Sequence, residues 1–116
     1  MKENIKKARQ IRNMSPIEKY RNFIELVRTN GKWDYKQQNP EFQDFGNFHY
    51  GVVGITAGFS EGELLRAAGV VQQFGENRNY GEGIMGIKSP YGDDPRDQEQ
   101  IRKGIEWYKR NKGYFE

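Results

Sequence analysis

The chain predicts a mainly α fold: a single compact domain of about five helices around a buried, glycine-rich central helix. Three observations carry this. Helix start signals stand ahead of apolar stretches, at Ser15-Pro16-Ile17-Glu18, Ser60-Glu61-Gly62-Glu63 and Asp94-Pro95. The apolar residues behind them recur at helical rather than alternating spacing. The 116 residues suffice for one core, and no internal repeat or low-complexity tract divides them. The reading leaves a long ordered loop and room for a short strand pair.

Apolar residues make up 34% of the chain and charged ones 30%, a lean core, but 14% aromatic content argues against disorder. The net charge of +3 permits weak attraction to polyanions and identifies none. With no cysteine, disulfides and thiolate metal sites are excluded. No apolar run approaches the ~20 residues of a membrane span, and the basic N-terminus lacks the apolar segment of a signal peptide.

Residues 3–13 predict an amphipathic helix with Ile5, Ala8 and Ile11 inward and Lys6, Lys7, Arg9 and Arg12 outward. Those cations read as a solvated face, with a basic arm for a polyanion as the alternative. Ser15, Pro16 and Glu18 open a second helix, with Ile17, Tyr20, Ile24 and Val27 as its inward stripe, widened by Phe23, and Asn30-Gly31 as its stop. From Lys32 to Phe45 no period is clean. Trp33-Asp34-Tyr35-Lys36 fits a short strand or an ordered loop, and Asn39-Pro40 marks a turn.

Asp44 to Gly58 is the central stretch. Phe48, Val52, Ile55 and Phe59 share one helical face, Gly51, Gly54 and Gly58 another, and His49, Val53 and Thr56 lie between. Three glycines on one stripe cost a helix about 1 kcal/mol each against Ala, so another backbone is expected close by. Ala67, Ala68 and Gly69 of the next helix offer that surface. That helix opens at Ser60, turns Leu64, Leu65, Ala68, Val70 and Val71 inward and stops at Gly75, forming an antiparallel hairpin with the central helix.

Gly75 to Gly92 is glycine-rich without the pattern of a phosphate loop; Ile84, Met85 and Ile87 suit a short strand or a plug. Asp94 then caps a last helix with Pro95 at its first position, Ile101, Ile105 and Tyr108 inward and Gly113 as its stop. Asp97 lies on that inward stripe, and a carboxylate turned toward a core wants a partner. Two polar constellations result: Asp44, Asn47 and His49 at the head of the central helix, and Tyr91, Asp93 and Asp97 at the head of the last. Facing each other, they would form an active site.

The motifs WDYKQ (33–37), DFGNFHYG (44–51), LLRAAG with its following QQ (64–73) and YGDDPRDQEQIRKGIEWY (91–108) occur in this order. Together they resemble the bacterial polymorphic toxin type 44 family, over roughly Trp33 to Tyr108. The resemblance implies a C-terminal toxin domain of a secreted or injected antibacterial effector, neutralised by a cognate immunity protein. Residues 1–31 then read as a junction-like helical segment and 32–116 as the toxin core. Residues that fit the shared pattern are Asp34, Lys36, Asp44, Asn47, Tyr50, Asp93, Asp94 and Asp97. The pattern often carries Asn where this chain has His49, which weakens a mechanism built on the imidazole.

The preferred activity is a hydrolase acting on nucleic acid. Without metal, His49 or a carboxylate would act as base, with Lys36 or Arg96 stabilising the phosphorane. With Mg²⁺, Asp93 and Asp97 would be the ligands, with Asp44 as a third carboxylate. Trp33, Tyr35, Asn47, Tyr50, Tyr91 and Arg96 complete the set as substrate-binding residues. The alternative is a peptidoglycan hydrolase, with carboxylates such as Asp44 and Asp97 acting on a glycosidic bond while Trp33, Tyr35, Tyr80 and Tyr91 stack on sugars. A third reading is a non-catalytic binding module. A monomer is expected, delivered to the target cytoplasm as a nuclease or to its periplasm as a wall hydrolase.

Overall fold

The computed structural model describes residues 1–28, 31–35, 40–74 and 95–115. Its α-helices are α1 (Lys2–Arg12), α2 (Pro16–Val27), α3 (Gln43–Thr56), α4 (Glu61–Phe74) and α5 (Pro95–Phe115), and a 3₁₀ turn, Pro40–Phe42, leads into α3. The mainly α expectation holds, and no strand occurs among the described residues. Trp33 lies in a turn rather than a strand. The strand or plug expected at Ile84–Ile87 lies outside the described residues.

The helix starts follow their sequence signals. Ser15 Oγ accepts from the Glu18 N–H at 3.4 Å, with Pro16 at the first helical position. At α4 the capping box closes reciprocally: Glu63 N–H donates to Ser60 Oγ and Ser60 N–H to Glu63 Oε1, both at 3.1 Å. The Ser60 N–H, and secondarily the Ser60 side chain, pull the exposed Glu63 carboxyl below its usual range. The stop expected at Gly113 does not act, since α5 runs through it to Phe115.

Helix α3 touches α1, α4, α5 and the 3₁₀ turn. The main core joins Ala8 and Ile11 of α1, Phe23 of α2, Val53 of α3, Leu64 and Leu65 of α4, and Ile101 and Ile105 of α5. A smaller cluster of Ile5, Val52 and Tyr108 lies beside it. The radius of gyration, 13.4 Å, matches the ~13 Å of a compact chain this long. Helix α1 is built into this core, with Ile5, Ala8 and Ile11 all buried.

Helix α2 sits differently from its expected stripe. Ile17 and Tyr20 are 72% and 62% exposed and Ile24 38%, while Phe23 is its only buried residue. One aromatic ring sets the rotation. Phe23 meets Trp33, Tyr50 and Phe59 at centroid distances of 6.4, 6.0 and 4.8 Å, and three ring partners outweigh an aliphatic edge.

The glycines of α3 also divide by role. Gly58, at φ 92°, is not on a packing stripe but closes the helix: its N–H bonds the Ile55 carbonyl and the Phe59 N–H bonds that of Gly54. This is the left-handed Schellman ending, which an L side chain resists. Gly54 accommodates the Leu64 side chain of α4. Gly51 faces α5 rather than the Ala67-Ala68-Gly69 surface.

Candidate active site

Gly51 and Gly104 place α3 and α5 together backbone to backbone. A Cβ on Gly51 would lie 2.2 Å from the Ile101 carbonyl oxygen, and one on Gly104 would lie 2.0 Å from that of Phe48. Each glycine is the notch into which the other helix settles. The contacts advance along both helices in the same sense, Asp44 with Arg96, Phe48 with Gly104, Val52 with Tyr108. The two helices therefore run parallel with both N-termini at one end of the molecule. Parallel dipoles side by side repel, and two positive helix ends concentrate positive potential there. First-turn carboxylates answer it, each worth about 0.3–1 kcal/mol.

Those carboxylates are Asp44 and Asp97. Arg96 Nη2 reaches Asp44 Oδ2 at 2.8 Å, with both side chains substantially exposed. Such a pair adds little stability, about 0–1 kcal/mol. Gln43 Nε2 donates to Asp97 Oδ1 at 3.2 Å, and Asp97 is 4% exposed. This is the partner its inward position demanded. Phe42 at the N-cap of α3 supplies no side-chain cap. Asn47 donates back to the Gln43 carbonyl at 3.2 Å, fixing the first turn that presents Gln43 and Asp44. The two helix heads thus meet, with two carboxylates, one guanidinium and the helix-end amides converging.

His49 lies on a different face of α3. Its ring is 1% exposed and boxed by Trp33, Tyr35 and Phe45 at centroid distances of 5.5, 4.9 and 5.9 Å. The Asn4 amide donates to its Nε2 and to Tyr35 Oη, both at 2.9 Å. Nδ1 then carries the proton, and it is buried without a partner among the described residues. Burial, and secondarily the positive charge of the chain N-terminus, lower its pKa from 6.5 to about 4. The ring is neutral at pH 7.

The remaining candidates separate in the same way. Trp33, at 4% exposure, turns its indole into the core, and Asp34 is buried beside it. Tyr50 spends its hydroxyl on the Leu64 carbonyl at 2.8 Å. Tyr35 packs edge-on against Phe45 and His49. Lys36, Tyr80, Tyr91, Asp93 and Asp94 lie outside the described residues. So does any metal set that needs Asp93; among the described residues no three metal-ligating side chains gather.

Three residues that the candidate set omits do structural work here. Asn4 holds the His49 box, Gln43 holds Asp97, and Gln98, fully buried, donates to the Leu65 carbonyl at 3.1 Å. Two of them left a signal. Asn4 precedes Ala8 and Ile11 by four and seven positions, and Gln98 precedes Ile101 and Ile105 by three and seven. A polar residue on an apolar stripe announces a buried hydrogen bond. Gln43 left none.

A family model described as bacterial toxin 44 matches residues 37–110. The matched span contains both helix heads, with Gln43, Asp44, Arg96 and Asp97, as well as His49. No curated protein and no solved structure matches the chain.

Proposed function

The chain belongs to the bacterial toxin 44 family, and on that premise we propose that it is an antibacterial effector toxin whose core hydrolyses nucleic acid at the paired heads of α3 and α5. The observation that carries this is the convergence of a guanidinium, two carboxylates and two parallel helix N-termini. In phosphodiester cleavage negative charge accumulates on the phosphorane oxygens. Positive helix ends and an arginine stabilise that charge. Glycoside cleavage passes through a cationic, oxocarbenium-like state, which the same positive potential disfavours. The arrangement therefore supports nucleic acid over the glycosidic bond of peptidoglycan.

In this reading Arg96 leaves Asp44 for the substrate phosphate. Asp44, released, accepts the proton of the attacking water or 2′-hydroxyl as its oxygen bonds to phosphorus, and the P–O5′ bond breaks with that proton passed to the departing oxygen. Asp97, fixed by Gln43, orients Arg96 and the α5 head. His49 acts as a positioning residue that ties α1 and Tyr35 to α3. Action is in the target-cell cytoplasm, and a cognate immunity protein protects the producing cell.

The test presents the purified protein with labelled RNA, labelled DNA and isolated peptidoglycan sacculi. Cleavage of a nucleic acid, reduced at least about a hundredfold by Arg96→Ala, is the expected result. Release of muropeptides with both nucleic acids intact would transfer the activity to the cell wall.

A further inference from the structure

Positive charge is segregated within this molecule. Helix α1 carries five basic residues, Lys2, Lys6, Lys7, Arg9 and Arg12, against Glu3. Residues 102–115 of α5 carry five more against Glu106. The rest of the chain holds nine basic and fourteen acidic residues, so its net charge is negative although the whole is +3. Neither helix forms a strongly basic surface alone. The fold brings them together: Ile5 packs against Tyr108 and Phe115, Arg9 Nη1 donates to the Phe115 carbonyl, and Lys2 Nζ sits 5.7 Å above the Tyr114 ring.

Between them runs a groove of about 450 Å³ lined by Lys2, Ile5, Lys6, Arg9, Tyr114 and Phe115, with Glu3 as its one acidic lining residue. Lys2, Lys6 and Arg9 recur one helical turn apart along it. Arg9 Nη2 is buried and has no partner among the described residues. With Nη1 already donating to the Phe115 carbonyl, Nη2 is the guanidinium nitrogen left to meet an anion. Tyr114 is 74% exposed.

We propose that this groove is a second binding face for single-stranded nucleic acid. Lys2, Lys6 and Arg9 hold the phosphate backbone and Tyr114 stacks a base. Evenly spaced cations beside an exposed ring form the combination that binds single strands without reading sequence. An anionic membrane fits less well, because α1 would have to insert its apolar face, and Ile5, Ala8 and Ile11 are already committed to the core. The groove lies about 25 Å along α5 from Asp97, so it holds the strand away from the chemistry. Its biological sense rests on the nuclease reading.

The experiment measures fluorescence anisotropy of a 12-nucleotide 2′-O-methyl RNA, which has no free 2′-hydroxyl to attack phosphorus, with the full chain at a concentration and time at which gels show it intact. The double variant K2Q/K6Q is expected to weaken binding at least tenfold. It should also flatten the slope of log affinity against log salt by about 1.4, at roughly 0.7 for each phosphate no longer neutralised. Tyr114→Ala should cost about fivefold or more, while Arg21→Gln, on the exposed side of α2, should change nothing. Thermal melts confirm that each variant is folded. Unaltered affinity in K2Q/K6Q overturns the proposal even if RNA or DNA is cleaved. Binding to polyglutamate or phosphatidylglycerol vesicles but not to the oligonucleotide also overturns it. Abolished binding in K2Q/K6Q supports the groove even where no nucleic acid is cut, which would count against the active site alone.

Discussion

The two faces of α3 solve opposite problems. Toward α5 the helix gives up its side chain at Gly51, where the Ile101 carbonyl settles, while the Phe48 carbonyl sits against Gly104. Toward α1 it keeps a large, polar ring, His49, and surrounds it with aromatics and one amide. The first face fixes a distance, the second fixes an orientation. A contact between backbones has no rotamers to relax, so it sets the separation of the helix heads more rigidly than interdigitated side chains could. Asp44, Arg96 and Asp97 depend on that separation. His49 does not share their face.

This contrast can be broken at its strongest point. Gly104→Ala puts a methyl 2.0 Å from the Phe48 carbonyl oxygen, so a helix must move. We expect a loss of about 3 kcal/mol in urea unfolding and loss of activity in whatever remains folded. Wild-type stability would show that the helices slide freely and that the glycine contact does not hold the heads.

Chemistry provides the next test. Asp97→Asn keeps an acceptor for Gln43 while exchanging the charge and the second carboxylate oxygen for an NH2. It should abolish toxicity on induced expression, with activity reduced about a hundredfold or more through mispositioned Arg96 and the melting curve little changed. Its counterpart across the helix, His49→Asn, should retain most activity at pH 7. The reverse pattern, toxic Asp97→Asn and inert His49→Asn, would move the active site to the imidazole face.

Acid should find the second face. His49 has a folded pKa of about 4 against 6.5 when exposed, so between those values the unfolded chain binds more protons than the folded one. Stability is therefore full above pH 6.5 and falls as pH drops toward 4, by on the order of 2–3 kcal/mol. Urea midpoints at pH 7, 5.5 and 4.5 would show the slope, and His49→Gln should flatten it. The smallest effect is expected from Asn4→Ala. Losing its hydrogen bonds to His49 and Tyr35 should cost about 1–2 kcal/mol at pH 7, with activity retained.

Much of the fold is legible in local chemistry. Ser15 and Ser60 cap because a hydroxyl beside free helix N–H groups has one good use, and neighbouring residues suffice to specify it. Ile101, Ile105 and Tyr108 turn inward as their spacing requires, and Asp97, on the same stripe, turns inward with them. The bacterial toxin 44 family is readable from ordered motifs. The stripe of α2 is not legible in this way. Ile17, Tyr20 and Ile24 are as apolar as a core face, and only the rings meeting Phe23 decide which side is buried.

The sequence by itself determined the helices, the capped starts of α2 and α4 and the core of α5, because each depends on residues within a turn or two of one another, and it carried the family in motifs ordered along the chain. Tertiary structure alone decided which helices share an end and which share a side. No spacing in the chain says that Gly51 opposes Ile101 rather than Ala68, that Asp44 meets Arg96, or that α1 lies along the basic tail of α5. These are pairings across 50 residues and more, set by which backbones fit closely enough to exclude water.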